Sequence, residues 1–124
     1  MKHLSAGIVV LFDNRILLVR QKNDMEGCHL SIPKGLIGKN EKPIEAAIRE
    51  TYEETGLVIQ KSRLGKPYLM NIESVNYSRR IIYYVVQLFE EPRLGVLDKG
   101  EILDCHFYDY QDAEQHLQLS QLSV

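Results

Sequence analysis

The 124 residues carry 15 Lys and Arg against 17 Asp and Glu, a formal charge of -2 at pH 7, with 44% apolar and 26% charged residues. A chain of that length can bury one core and is too short for two, so residues 1–124 are expected to form a single domain. The charge balance argues against broad, sequence-independent nucleic-acid binding, and no apolar run approaches the ~20 residues of a membrane span. The N-terminus lacks the apolar stretch of a secretory signal, which makes a cytoplasmic protein the default expectation.

In chain order, Gly7 to Phe12 and Arg15 to Arg20 are β-rich runs separated by Asp13-Asn14, the pattern of a hairpin. A loop through Asn23 to Gly27 leads to Ser31-Ile32-Pro33-Lys34-Gly35, where proline and glycine break regular structure. Pro43 suits a first helical turn, because it lacks an amide hydrogen that would find no partner there. Ile44, Ala47, Ile48, Thr51 and Thr55 then recur at helical spacing and form the expected buried stripe, and Gly56 closes the helix as its C-terminal cap. Leu57 to Ile59, a stretch near Tyr68 to Met70, Arg80 to Phe89 and Ile102 to Tyr108 read as further strands, and Asp112 to Leu119 as a short closing helix. This order predicts an α/β chain, an α+β mixed sheet packed between helices, with no internal repeat or linker.

The predicted helix ends abnormally. In Arg49-Glu50-Thr51-Tyr52-Glu53-Glu54-Thr55-Gly56, three carboxylates occupy the last two turns, where the helix dipole favours cations. At 100° per residue Glu50, Glu53 and Glu54 span an arc of roughly 100°, so they converge on one spot. Each like-charge pair costs about 0.2–0.5 kcal/mol, and proximity to the negative helix end adds about 0.3–1 kcal/mol per anion. A bound divalent cation would reverse that sign, since hard ions such as Mg2+ take carboxylate and phosphate oxygens. For a lone Glu-Glu pair, a solvated acidic face would be the better explanation.

The wider spacing decides against it. Gly35 is followed by Glu41, then by Arg49-Glu50, Glu53-Glu54, Gly56 and Leu57, which resembles the box of the Nudix hydrolases at residues 35–57. Seven fixed positions would match by chance about once in 10⁸ to 10⁹ starts. Thr51 departs from the usual apolar residue, and a β-branched side chain still packs there. The resemblance implies a Nudix-like α/β/α sandwich and metal-assisted hydrolysis of a nucleoside diphosphate linked to another group. It implies Glu50, Glu53 and Glu54 as ligands of Mg2+, with Mn2+ as the substitute. One of the three, or a glutamate from a later loop, would take the water's proton, and the base stays unassigned within that set. Glu101, ahead of the last predicted strand, stands where many family members carry one more metal-binding or catalytic glutamate; otherwise it is a loop carboxylate.

In the family, Arg49 would clamp Glu41 as structural support for the catalytic cluster; the alternative is a surface ion pair of less than about 1 kcal/mol. Lys34 can reach a phosphate beside Gly35. Arg20, Arg79 and Arg80 are further candidate phosphate contacts, with strand alternation sending Arg79 and Arg80 to opposite faces. Tyr77, Tyr83 and Tyr84 offer rings for an adenine base, against the plainer role of strand packing. Cys28 and Cys105 have no metal-type spacing and read as two thiols, and the four histidines show no ligand spacing.

Leu30-Ser31-Ile32-Pro33-Lys34-Gly35 is similar to the Trp-x-x-Pro-Lys-Gly approach of Nudix enzymes that cleave dinucleoside polyphosphates, with Leu30 in place of tryptophan. A dinucleoside polyphosphate such as diadenosine tetraphosphate is therefore the expected substrate. Oxidised nucleoside triphosphates, ADP-ribose and RNA 5′-triphosphate ends are the rivals of the same chemistry. A catalytically silent nucleotide sensor is the rival of another class, although such domains usually lose box glutamates and all are present here. A homodimer is the commonest symmetric assembly, with no sequence feature marking its patch.

Overall fold

A computed structural model describes residues 2–22, 30–73 and 78–120. Strand β1 (Lys2–Phe12) turns through Asp13-Asn14 into β2 (Arg15–Gln21). Asp13 at φ 51° and Asn14 at φ 60° both take left-handed backbone, the requirement of a two-residue type I′ hairpin. Two short strands, β3 (Leu30–Ser31) and β4 (Lys34–Leu36), precede helix α1 (Pro43–Thr55). A single 3-10 turn at Lys61–Arg63 leads to β5 (Tyr68–Glu73), β6 (Ser78–Gln87), β7 (Ile102–Asp109) and helix α2 (Tyr110–Ser120).

The strands form one mixed sheet in the order β3-β2-β1-β6-β5, with β4 added to β1 and β7 to β2. Strand β1 organises it. One edge runs parallel to β6 from Lys2↔Ser78 to Leu11↔Gln87, while the other is divided between β4, at Ser5 to Gly7, and β2, at Leu11 and Phe12. Alternation fills both faces. Ala6, Ile8, Val10, Leu17, Val19, Tyr84 and Val86 pack with Ala46 and Ala47 of α1, whereas Ile16, Leu18, Leu30 and Ile32 pack with Ala113 of α2. A mixed sheet with a helix on each face is the expected α/β/α sandwich. Among the described residues, no helix is long and apolar enough to cross a membrane.

Pro43 occupies the first turn of α1, and the Glu45 carboxylate accepts a hydrogen bond from the Lys42 amide at 3.0 Å, satisfying a donor ahead of that turn. The expected stripe is corrected in part. Ala47, Thr51 and Thr55 are buried, Ile44 and Ile48 are half-buried at its margin, and Ala46 and Glu54 are buried with it. Leu57 to Ile59 is not a strand. Leu57 and Ile59 are buried and Val58 is exposed, so the alternation is genuine, but this extended segment joins no ladder of the sheet. The last strand and helix lie at or within two residues of their predicted bounds.

Gly56 ends α1 in left-handed backbone at φ 80°, its amide donating to Tyr52 O at 2.9 Å. A Cβ there would also meet Gly95 O at 2.7 Å, whereas one on Gly95 would have nothing within 4 Å. Gly56→Ala is expected to cost about 1–3 kcal/mol and Gly95→Ala less than about 0.5 kcal/mol. Denaturant melts of the two variants check this; equal losses would contradict it.

Candidate active site

The end of α1, the Lys34–Leu36 strand and the loop before β7 enclose a cleft of about 560 Å³. It brings together Lys34, Glu50, Glu53, Glu54, Arg79 and Glu101, six residues expected from the sequence, with Ser5, Gln21, Gly35, Leu36 and Asp98 completing the wall. Four of these, Ser5, Gln21, Leu36 and Asp98, carried no signal of their own. The clue available for Asp98 was its place three residues before Glu101.

Glu54 is 4% exposed and accepts a hydrogen bond from the Lys34 amide at 3.2 Å. Burial, and then the neighbouring Glu50 charge, push its carboxyl up to about 8. Glu50 is also pushed up, first by burial, against the opposing pull of Arg49. Its carboxyl lies directly over Gly35, where an added Cβ would be 2.1 Å from Glu50 Cδ. Gly35→Ala must displace that carboxyl, and a shift of this size is expected to lower kcat by roughly 10–100-fold. Steady-state rates of the variant test it, and unchanged kcat would refute it.

Arg49 binds more than Glu41. Its Nε and Nη2 grip Glu41 at 2.8 and 3.0 Å, Nη1 donates to Glu50 at 2.7 Å and to Glu53 at 3.2 Å, and Nη2 also donates to Leu36 O at 3.1 Å. This network departs from the simple surface pair. The guanidinium, together with the Gly38 amide at 2.8 Å, holds Glu41 well below the usual carboxylate range, at about 2. Arg49 thus neutralises part of the charge that the helix end concentrates.

The loop before β7 caps the same helix. Gly95 N donates to Thr55 O at 2.9 Å, and Leu97 N and Asp98 N donate to Glu53 O at 2.9 and 2.8 Å. These bonds satisfy terminal carbonyls of α1 and fix Asp98 and Glu101 beside the carboxylates. Across the cleft, burial and then the Arg79 charge lower the Lys34 ammonium, while Glu54 and Glu50 pull it back up.

Other sequence candidates lie elsewhere. Arg80 is exposed and does not line the cleft, as alternation from Arg79 requires. Arg20 faces Asp104 at 3.8 Å across the β2–β7 ladder and does not line the cleft. Tyr84 is 5% exposed in the α1-side core, which rules it out as a stacking surface. Tyr83, on the other face, stacks against Tyr68 with centroids 5.4 Å apart. Tyr77 and Cys28 lie outside the described residues, and Cys105 is a buried thiol pushed up to about 11, first by desolvation.

Converging carboxylates on a helix end, opposed by a lysine and an arginine over a mixed sheet, have the makeup of a site that sets a divalent cation against phosphate oxygens. The model of the family described as the NUDIX domain matches residues 1–123, so this chain belongs to the Nudix family. An ADP-ribose pyrophosphatase of Methanocaldococcus jannaschii is 46% identical over 55 residues, 43% of this chain and 32% of that enzyme. The chain thus matches about a third of that curated relative's length. Among solved structures, a Caenorhabditis elegans Ap4A hydrolase binary complex aligns with TM-score 0.77 and 21% identity, covering 95% of this chain and 88% of that one. A bifunctional NMN adenylyltransferase/ADP ribose pyrophosphatase of Francisella tularensis, complexed with AMP and a Mn ion, aligns with TM-score 0.74 and 17% identity over 94% of this chain and 36% of that one.

Proposed function

We propose that this protein is a divalent-metal-dependent hydrolase of a pyrophosphate linkage in a nucleoside diphosphate derivative, with a dinucleoside polyphosphate such as diadenosine tetraphosphate as its substrate. The observation that carries the reading is the opposition of Glu50, Glu53 and Glu54 to Lys34 and Arg79 across one cleft. Residues 1–124 act as one domain in this reading.

The donor set suits a hard divalent ion. It is all oxygen, and Glu54 keeps a proton up to about pH 8 in its crowded position beside Glu50, a charge deficit that a cation would fill. Among the described residues, no three His, Cys, Asp or Glu side chains already form a closed cage, and Arg49 holds Glu50 and Glu53 instead. Glu50, Glu53 and Glu54, with Glu101 from the loop, would hold Mg2+ or Mn2+, which supplies charge neutralisation and an acidified water.

The chain's own residues do the rest. Lys34 and Arg79 bind and orient the phosphate chain, and Arg49 keeps the carboxylates in place while Glu41 anchors it. Water attacks one phosphorus as its bond to the bridging oxygen breaks, and that oxygen leaves on the second product. The water's proton passes to a carboxylate of the set Glu50, Glu53, Glu54 and Glu101. Retention of every box carboxylate supports turnover over a silent sensor.

ADP-ribose is the second reading, favoured by the 46% identity to the archaeal ADP-ribose pyrophosphatase. Product analysis with Mg2+ over diadenosine tetraphosphate, ADP-ribose, an oxidised deoxyguanosine triphosphate and triphosphate-ended RNA separates the readings. ATP and AMP from the dinucleotide are expected. Faster release of AMP and ribose 5-phosphate from ADP-ribose would move the assignment, and nucleotide binding without turnover of any of the four would favour the sensor.

A further inference from the structure

Resting on the proposed hydrolysis of a nucleotide, we infer that Tyr68, with Tyr83 beneath it, is the platform on which a nucleoside base of the substrate stacks. The sheet register places it. Lys34 pairs with Gly7, Gly7 with Tyr83, and Tyr83 with Tyr68, so these four residues form one row across β4, β1, β6 and β5. Residues directly opposite one another project from the same face of a sheet. The row therefore holds the Lys34 ammonium at one end and two phenol rings at the other. Between them Gly7 contributes no side chain, and the Lys34 Cβ lies close above it.

Arg79 belongs to the same face, since it lies four residues from Tyr83 along β6, and it lines the cleft with Lys34. Three strand spacings, ~14 Å, separate Lys34 from Tyr68, and four residues of strand with one spacing, also ~14 Å, separate Arg79 from it. The long Lys34 and Arg79 side chains cover part of that distance, and a nucleoside 5′-diphosphate, from base to outer phosphate, spans the rest. A phosphate held by Lys34 and Arg79 would therefore carry its base to the tyrosine pair.

The tyrosines are built for that contact. Their rings lie 5.4 Å apart and 21° from parallel, and Tyr83 is packed against the α2-side core, which leaves Tyr68 as the outer layer. Tyr68 is 56% exposed on β5, the edge strand, although a phenol ring contributes more to folding when buried. A ring backed by a second ring keeps its orientation, which lowers the entropy lost when a third flat group stacks on it. Stacking accepts any base, so this platform favours nucleotides over sugar phosphates and discriminates little among bases.

The test is equilibrium binding of AMP and of ribose 5-phosphate, both in the presence of Mg2+, by titration calorimetry. The wild-type protein should bind AMP ~10-fold or more tightly than ribose 5-phosphate. Tyr68→Ala should bring the two affinities within ~2-fold by weakening AMP alone, whereas Tyr68→Phe should keep the preference. Leu69→Ala, at an equally exposed neighbour facing the other side of the sheet, should change nothing. An AMP preference that survives in Tyr68→Ala would overturn the inference, as would its absence in the wild-type protein. Thermal melts confirm that each variant is folded. Binding is read without turnover, so a protein that prefers AMP through Tyr68 yet hydrolyses none of the panel would retain the platform and lose only the hydrolase reading.

Discussion

Glu53→Gln is expected to lower turnover by roughly two to three orders of magnitude, about 3–4 kcal/mol of barrier, while leaving the metal-free fold as stable as before or slightly more so. The two effects have one origin. Glu53 is in the last turn of α1, with Glu50 and Glu54 on the same arc and no basic residue in that turn. Removing an anion from this helix end relieves about 0.3–1 kcal/mol of unfavourable dipole interaction. The variant also loses part of the Arg49 contact at 3.2 Å, which is half-exposed and so offsets only a fraction of that gain. A residue retained for packing would show the reverse, with stability falling and turnover following it. Rates and thermal melts on the same samples decide, and a destabilised variant with near-normal kcat would refute the role assigned to Glu53.

The second large effect is a pH dependence that a divalent cation should remove. Glu54 titrates at about 8 in the folded chain against 4.5 for an ordinary glutamate. Between those values the folded state binds the extra proton, so metal-free stability is highest near the lower end and declines as pH rises through the window. The full cost, on the order of a few kcal/mol, is present above pH 8. Glu50 is shifted in the same direction, first by burial. Glu41, shifted down to about 2, has the opposite sign, and its contribution disappears only as pH falls below about 4.5, outside this range.

Metal-free melting temperatures should therefore fall between pH 6 and 8.5, and Mg2+ should restore more at pH 8.5 than at pH 6. In Glu54→Gln, which keeps the shape and removes the charge, the slope should flatten. Equal slopes in the two proteins would show that Glu54 is not the titrating group.

Local residue chemistry made much of the fold legible. Asp13-Asn14 specifies a tight turn because both residues tolerate positive φ, and Pro43 and Gly56 punctuate a helix because one lacks an amide hydrogen and the other a Cβ. Leu57 to Ile59 misled for the same reason. Alternating burial records which side chains face the core, and a strand also requires a neighbouring backbone to pair with, which is a tertiary fact.

For the site, the sequence by itself determined the cluster of Glu50, Glu53 and Glu54, since helical spacing alone makes those side chains converge, and it determined the family through the spacing from Gly35 to Leu57. Only the tertiary structure decided that Arg79 and not Arg80 enters the cleft, that Arg20 is drawn to Asp104, and that Asp98 is pinned to Glu53 through its backbone amide. Only the register across four strands joined Tyr68 to Lys34, residues 34 positions apart along the chain. The division follows from range: propensity and periodicity act over one or two turns of chain, while the partner of a strand edge or a helix end is chosen by the packing of the whole molecule.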